Sequence, residues 1–333
     1  MECIILAGGL GTRLRPITYH IPKPIIPLVN TPMIMHIIDS LPEEVDRVIL
    51  PVNYRKEMLD DYFTEHQDSI RQEVVLVEEK KPLGTGGAIR NCEREISGSF
   101  IVFNGDVLNS LKPRDIIDYH ISKGGIGALA VWKVIDPTRF GIIGFDEDNR
   151  ISRFLEKPEP EEVFSNFINA GTYVLEPDIF DHIDTGRKVS IEREVYPFVL
   201  EKELYAYPFT GYWVDAGTRE DFLLAASRIM NFKKLGNEVD AGTVIHPDAK
   251  ILSPVVIGKD CRIGNCIIGP GAVIGQNCLV EKNARVTNST ILDHVTVGKN
   301  VVIRNSIIGN NMDVKEKKVV ENSIVDRPLK NSD

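Results

Sequence analysis

Gly8, Gly9, Gly11, Arg13, Arg15 and Lys23 stand close together near the start of the chain. Glycine has no Cβ, so the backbone can turn sharply and bring its N–H groups against a polyanion. The two arginines and the lysine add fixed positive charge, and arginine suits forked hydrogen bonding to phosphate oxygens. Phosphate is the ligand this combination fits. Neither of two common labels applies: Leu14 occupies the third glycine position of a G-x-G-x-x-G fingerprint, and no Lys-Ser/Thr pair follows as a P-loop requires. A glycine-rich turn is often no more than a turn. Here Gly11-Thr12-Arg13 is followed by Pro22-Lys23-Pro24, whose prolines are expected to hold the ammonium on a stiff extended segment.

The run Glu2-Cys3-Ile4-Ile5-Leu6 reads as the strand that delivers this loop. From residue 1 to 236, short apolar runs alternate with helix-like stretches, the pattern of a wound α/β domain with a mixed, mostly parallel sheet. Strands are expected at Cys3–Leu6, Arg47–Val52, Val74–Val77 and Phe100–Phe103, and helices at Met33–Ser40, Lys56–His66 and Gly87–Glu95. Ligands of open sheets collect beyond the strand C-terminal ends. There the fourth strand delivers Asn104-Gly105-Asp106, and Leu83-Gly84-Thr85-Gly86-Gly87 opens a helix at Ala88 whose first N–H groups could take an anion or a base edge. Ile126–Val134 reads as a buried strand, and Phe140–Ile143 with Ile151–Leu155 as a hairpin around Asp148-Asn149. Thr218–Lys234 reads as a helix capped by Thr218.

These motifs resemble the sugar-1-phosphate nucleotidylyltransferases, whose signature is GG-x-GTRL followed downstream by PKP. The resemblance implies a Rossmann-like nucleotidyltransferase fold and a reaction in which a sugar 1-phosphate attacks the α-phosphorus of a nucleoside triphosphate. It implies that Leu6, Ala7, Gly8, Gly9, Gly11, Thr12, Arg13 and Lys23 bind the nucleotide, with Gly84, Thr85 and Gly86 against base and ribose. Asp106 and Asp215, the latter in Gly211-Tyr212-Trp213-Val214-Asp215-Ala216-Gly217-Thr218, would hold Mg2+, a hard cation that takes carboxylate and phosphate oxygens. Glu156-Lys157-Pro158 and Asn169-Ala170-Gly171 match the family's sugar-facing motifs. Gly141, Glu156, Lys157 and Asn169 are therefore expected around the sugar phosphate, Lys157 holding the attacking phosphate.

The carboxylate of Glu79, in the charged turn Glu78-Glu79-Lys80-Lys81-Pro82, could accept guanine N1–H and its exocyclic amine together, whereas thymine and uracil offer a single ring N–H. Thymidylyl relatives tend to carry glutamine there, so guanine is the expected base, while mannose as the sugar is what the resemblance alone implies. Asn53-Tyr54-Arg55 and Ser190-Ile191-Glu192-Arg193-Glu194 match the same branch of the family; acidic first-turn residues entering a helix account for the latter without a catalytic role. Thymidylyl, uridylyl and heptose-directed guanylyl transfer are the neighbouring alternatives.

Residues 237 to 333 are written as a repeat. Aliphatic residues recur at Ile245, Ile251, Ile257 and Ile263, then at Ile268, Ile274, Val280 and Val286, then at Ile291, Val297, Ile303 and Ile308. Three hexads make one triangular turn of a parallel β-helix, here expected to be left-handed, of roughly four coils. Small residues fall four positions after an anchor at Ala249, Cys261, Ala272, Cys278 and Ala284, and Asn-Ser recurs at 288, 305 and 322. Because end coils expose stacking surface, a homo-oligomer built through this domain is expected. Hexad repeats also serve acyltransferases, but only His246 and His294 offer a base inside the repeat. A non-catalytic regulatory subunit would be expected to have lost the charged residues that are all present.

The chain of 333 residues is 43% hydrophobic and 26% charged with a net charge of -9, which disfavours nucleic acid as a partner and confines any anion site to a local patch. Its five cysteines lack C-x-x-C spacing, favouring buried thiols over disulfides or zinc. No apolar run approaches the ~20 residues of a membrane span, and no leader pattern opens the chain, so no membrane partner and a cytoplasmic location are expected.

Overall fold

The structure, a computed structural model, describes residues 1–328. In chain order come β1 (Glu2–Leu6), the hairpin β2 (Pro27–Leu28) and β3 (Thr31–Pro32), α1 (Met33–Ile38), β4 (Arg47–Val52), α2 (Lys56–His66), β5 (Glu73–Glu78), α3 (Gly84–Asn91), β6 (Phe100–Asn104) and β7 (Val107–Asn109). Then follow α4 (Pro113–Lys123), β8 (Gly127–Lys133), β9 (Gly141–Phe145), β10 (Ile151–Glu156), β11 (Phe167–Leu175), α5 (Ile191–Glu194), β12 (Leu204–Pro208), β13 (Trp213–Asp215) and α6 (Arg219–Phe232). Short strands at the three faces of a β-helix run from Asn237 to Val325.

Two compact units are present, and neither is continuous in sequence: one comprises residues 1–9 and 36–213, the other residues 10–35 with everything from 214 onward. The first contains a nine-stranded mixed sheet. Its backbone order is β10-β9-β11-β6-β1-β4-β5, with β8 pairing to β11 and β12 pairing to β8. β6, β1, β4 and β5 are parallel, while β11 runs antiparallel to β6, β8 and β9. β1, β4 and β6 read as apolar runs because both their faces are covered: Ile4, Ile5, Val48, Ile49, Phe100 and Val102 are fully buried. Their bounds fall within a residue of the expected ones.

β11 carries no such signal. Asn169-Ala170-Gly171 reads as a turn, yet the strand runs nine residues through it. The register against β8 shifts between Asn169 and Tyr173, and Gly171 takes φ 73, where a Cβ would meet the Asn104 amide nitrogen at 2.8 Å. A bulge of this kind re-aims side chains without ending the strand. Two expectations need correction. The second glycine segment is not a loop opening a helix at Ala88, since α3 already begins at Gly84. Lys23 begins a single 3-10 turn, Lys23–Ile25, instead of lying on an extended segment. Pro24, placed second in that turn, has a fixed φ that suits it and no N–H to lose.

In the second unit the β-helix is built from three parallel sheets of six, five and five short strands. Coils pair 17 or 18 residues apart, as in Ile257 with Ile274 and Ile268 with Val286. The aliphatic anchors from Ile257 to Ile308 point inward and stack with Cys261, Ala272, Cys278 and Ala284 in one core. All five cysteines are buried and unbonded. About five coils are present, one more than the expected four, because charged residues hide the anchors of the outer ones: Glu238 at one end, and Asp313 and Glu321 at the other, sit in strands beside Val239, Val314 and Val320.

The recurring Asn-Ser has a physical reason. Asn288, Asn305 and Asn322 all take positive φ at a corner, which asparagine tolerates, and the first two donate their amides to the next in line at 2.8 and 3.2 Å. The following serines make a second ladder, Ser306 N–H donating to Ser289 Oγ and Ser323 N–H to Ser306 Oγ at 3.1 Å. Every coil thus leans on the next. Truncating one central anchor, Ile291→Ala, is expected to lower stability by about 2–5 kcal/mol, the range for emptying a close-packed aliphatic site. Thermal unfolding monitored by circular dichroism measures it, and a change below about 0.5 kcal/mol would contradict the stacking described.

Candidate active site

In the first unit, β1 ends at Leu6 and the chain passes Ala7 to Gly8 and Gly9 beside the end of β6. Gly105 N–H donates to Leu6 O at 3.1 Å, and a Cβ on Gly105 would stand 2.7 Å from that oxygen, so the two strand ends meet closely only because residue 105 is glycine. Asp106, half-buried, follows directly.

Glu79 lies at the end of β5 and is only 6% exposed. Its N–H donates to Val52 O at 2.8 Å, and Asn53 Nδ2 donates to its carbonyl at 2.8 Å, which gives the Asn53-Tyr54-Arg55 match a positioning task. The carboxylate faces Gly8, where a Cβ would come within 2.6 Å of Oε2. Burial pushes its pKa up, partly offset by a backbone hydrogen bond from Leu83. Oε1 is buried and has no hydrogen-bond partner among the described residues. A desolvated acceptor left open beside the glycine loop is the mark of a position completed by a ligand.

The glycines of α3 have a structural task that their spacing does not signal. The N–H groups of Gly86 and Gly87 both donate to Val189 O, at 3.0 and 3.2 Å. A Cβ on Gly84 would meet the same oxygen at 2.5 Å. Thr85 Oγ1 donates to Glu192 Oε2 at 2.6 Å and accepts from Ile191 N–H at 3.0 Å. These small residues therefore clamp α3 to the segment before α5, and the amides of Gly86 and Gly87 are already engaged.

β9, β10 and β11 bring Gly141, Glu156, Lys157 and Asn169 together. Glycine at 141 leaves the space the Glu156 carboxylate occupies, since a Cβ there would stand 2.7 Å from Oε2. Burial, then the charge of Glu192, pushes the Glu156 pKa up, while Lys157 and Arg193 oppose the shift. Lys157 has left-handed backbone at φ 53, its N–H bonded to Phe140 O and its ammonium 3.8 Å from Glu156 Oε1. Such a conformation in a non-glycine residue persists where surroundings impose it, commonly at functional sites. Asn169 Oδ1 accepts from Gly171 N–H and its amide donates to Tyr173 OH, both at 3.0 Å, leaving one N–H and one lone pair.

Glu192 is the residue that sequence reasoning passed over. It was read as a first-turn acid, but Glu194 does that work, accepting from Ser190 N–H at 2.9 Å. Glu192 Oε2 instead accepts from the hydroxyls of both Thr85 and Ser190, and its charge reaches Glu156, Tyr173 and Tyr196. No local spacing signals this, because Thr85 is 107 residues away in sequence.

The second unit contains Gly11, Thr12, Arg13, Lys23 and Asp215. Gly11 takes φ 60 and packs on Thr18 and Lys23, whose Cβ atoms lie 3.4 and 3.2 Å from where its own would be. Thr18 Oγ1 closes the turn by donating to Gly11 O at 3.0 Å. Lys23 is 8% exposed, whereas Arg13 is exposed. The Arg13 guanidinium and the Asp215 carboxylate crowd the same glycine: a Cβ on Gly217 would lie 2.5 Å from Arg13 Nη2 and 2.9 Å from Asp215 Oδ1.

The model of the family described as nucleotidyl transferase matches residues 2–231, and that of the GMPPB C-terminal domain matches residues 264–328. The chain belongs to the nucleotidyl transferase family. It is 36% identical over 275 residues to the mannose-1-phosphate guanylyltransferase catalytic subunit beta of Drosophila pseudoobscura pseudoobscura, covering 79% of this chain and 72% of that one. It is 34% identical to the mannose-1-phosphate guanylyltransferase of Mycobacterium tuberculosis, covering 82% and 79%. The structure of HddC from Yersinia pseudotuberculosis complexed with GMP-PN superposes with a TM-score of 0.55 at 30% identity, covering 68% of this chain and 99% of that chain.

Nucleotidyl transferases generally work with a divalent metal. Asp106 and Asp215 are hard oxygen donors at element ends, the chemistry such an ion takes in company with phosphate oxygens and water. Among the described residues no group of three or more His, Cys, Asp or Glu side chains is placed to bind a metal alone, and no helix is long and apolar enough to cross a membrane. Gly217→Ala is expected to displace the Arg13 guanidinium and raise the nucleotide KM about tenfold, the scale of one charge-assisted hydrogen bond. Steady-state kinetics with the sugar phosphate saturating checks it, and an unchanged KM would separate Arg13 from the nucleotide.

Proposed function

We propose that this nucleotidyl transferase makes GDP-mannose from GTP and mannose 1-phosphate. The observation that carries the base is Glu79, whose buried, ligand-ready carboxylate beside Gly8 can accept guanine N1–H and the exocyclic amine together. The names of the relatives support both base and sugar.

A phosphate oxygen of the sugar 1-phosphate attacks the α-phosphorus, the bond from that phosphorus to the bridging oxygen breaks, and pyrophosphate leaves with the electron pair. Leu6, Ala7, Gly8, Gly9, Gly11 and Thr12 would line the triphosphate, with Gly84, Thr85 and Gly86 bordering base and ribose. Arg13 takes β- and γ-phosphate charge and Lys23 the α-phosphate region. Lys157 holds the incoming phosphate, and Glu156 and Asn169 orient sugar hydroxyls across the space left by Gly141. Asp106 and Asp215 would hold Mg2+, which when bound would supply positive charge to offset that developing on the phosphates. Catalysis is then positioning plus charge stabilisation, with no covalent enzyme intermediate. The β-helix would serve assembly into a homo-oligomer.

Lys23→Ala and Asp106→Ala are each expected to lower turnover on the order of a hundredfold. Near-normal pyrophosphate release in both would remove these assignments. A matrix of GTP, ATP, UTP and dTTP against mannose, glucose, N-acetylglucosamine and heptose 1-phosphates tests the substrates.

Glu79 also predicts a pH dependence. Its carboxylate must be ionised to accept two N–H groups, and burial makes it bind a proton at a pH above the ordinary ~4.3 of glutamate. The GTP KM should therefore rise on acidification beginning above that value. Because the folded state holds this proton more tightly than the unfolded one, the group itself favours folding as pH falls through its folded pKa, so the rise is not local unfolding. In Glu79→Gln the limb should vanish and preference for GTP over dTTP and UTP should erode; a wild-type profile in that variant would refute the role.

A further inference from the structure

The segment bearing Arg13 and Lys23 belongs to the same compact unit as the β-helix, and two contacts fasten it there. The first is at the tip of the β2–β3 hairpin. Leu28 pairs with Thr31, and the two residues between them, Val29 and Asn30, both have positive φ, 51° and 57°. Asparagine accepts that conformation, but a β-branched valine does so at a cost and keeps it only where the surroundings over-determine it. They do: Asn30 Nδ2 donates to Ile274 O in the β-helix wall at 2.8 Å, and β2 packs on α6.

The second contact lies ten residues earlier. His20 Nε2 is 3.1 Å from Arg327 O, just past the last strand of the β-helix. The neighbouring Asp326 carboxylate is half-buried, one oxygen accepting from Arg327 N–H at 2.8 Å and the other having no hydrogen-bond partner among the described residues.

Lys23 lies between these two fasteners. From His20 the restraint passes back through the 3-10 turn Ile17–Tyr19 to Thr18, which closes the Gly11 turn by its bond to Gly11 O. From the hairpin it passes through Met33 N–H bonded to Ile26 O and Ile26 N–H bonded to Lys23 O, both 3.1 Å. A catalytic cation gains from such bracing because misplacement by about 1 Å can cost on the order of a hundredfold in rate.

We propose that Asn30 and His20 are positioning residues through which the β-helix fixes Arg13 and Lys23, making the repeat domain a structural part of the phosphate-binding apparatus. The proposal rests on the nucleotide-phosphate roles given above to those two cations.

Asn30→Gly keeps a backbone free to adopt positive φ and removes only the amide. His20→Phe removes the ring donor, and His20→Gln restores one. In full-length protein, Asn30→Gly and His20→Phe are each expected to lower kcat/KM for GTP about fivefold to tenfold, the factor attached to one hydrogen bond. The KM for mannose 1-phosphate should stay within about twofold, and His20→Gln should recover most of the loss. Amide hydrogen exchange across residues 11–26 should quicken in Asn30→Gly while the β-helix core remains protected.

If Lys23→Ala is crippled but Asn30→Gly and His20→Phe match wild type, the positioning role is wrong. An equal rise in both KM values with general loss of protection would show a merely structural contact and also overturns it. If Lys23→Ala itself is harmless, the phosphate assignment fails instead, and exchange across residues 11–26 still decides whether these two side chains brace the segment: unchanged rates sink the proposal.

Discussion

An ammonium held nearly out of water is the constraint around which residues 11–26 are arranged. Lys23 is 8% exposed, and a cation gives up its hydration only where the surrounding chain is rigid enough to keep it in place. Pro22 and Pro24 limit the backbone on either side, the Gly11 turn packs against its Cβ, and a 3-10 turn carries its carbonyl. Each of these is a local device. Pre-organised charge is also what phosphoryl chemistry needs, since such a group need not reorganise as negative charge shifts to the leaving pyrophosphate.

In the other unit burial acts on carboxylates instead. Glu79 and Glu156 are carboxylates with raised pKa values, and in both cases burial is the first cause and a glycine, Gly8 or Gly141, makes the room. Glycines that read as phosphate or base contacts thus often serve to admit a neighbouring acid. Gly217 is the mirror image, clearing space for a guanidinium next to a carboxylate.

The parallel half of the sheet and the β-helix were plain from the residues alone, because continuous apolar runs and hexads each have one structural meaning when both faces of a strand, or the inside of a coil, must be filled. Gly8, Lys23, Asp106 and Glu156 stood out because their motifs are local. β11 did not, since Asn169-Ala170-Gly171 looks like a turn until its neighbours impose a bulge. Nor did the clamp of α3 onto Val189, or the seat of Glu192 between Thr85 and Ser190, because the partners meet only after folding. The outer coils were hidden by charge on positions whose alternate residues still point inward.

Residues 10–35 share a compact unit with residues 214 onward, while residues 1–9 belong to the other. This interleaving has a meaning for biosynthesis. A ribosome making the chain in order exposes Arg13 and Lys23 well before Ile274 and Arg327, to which their segment is fastened. A nascent chain can therefore complete the sheet around β1 well before residues 10–35 have anything to rest on, so a stretch translated early is secured late.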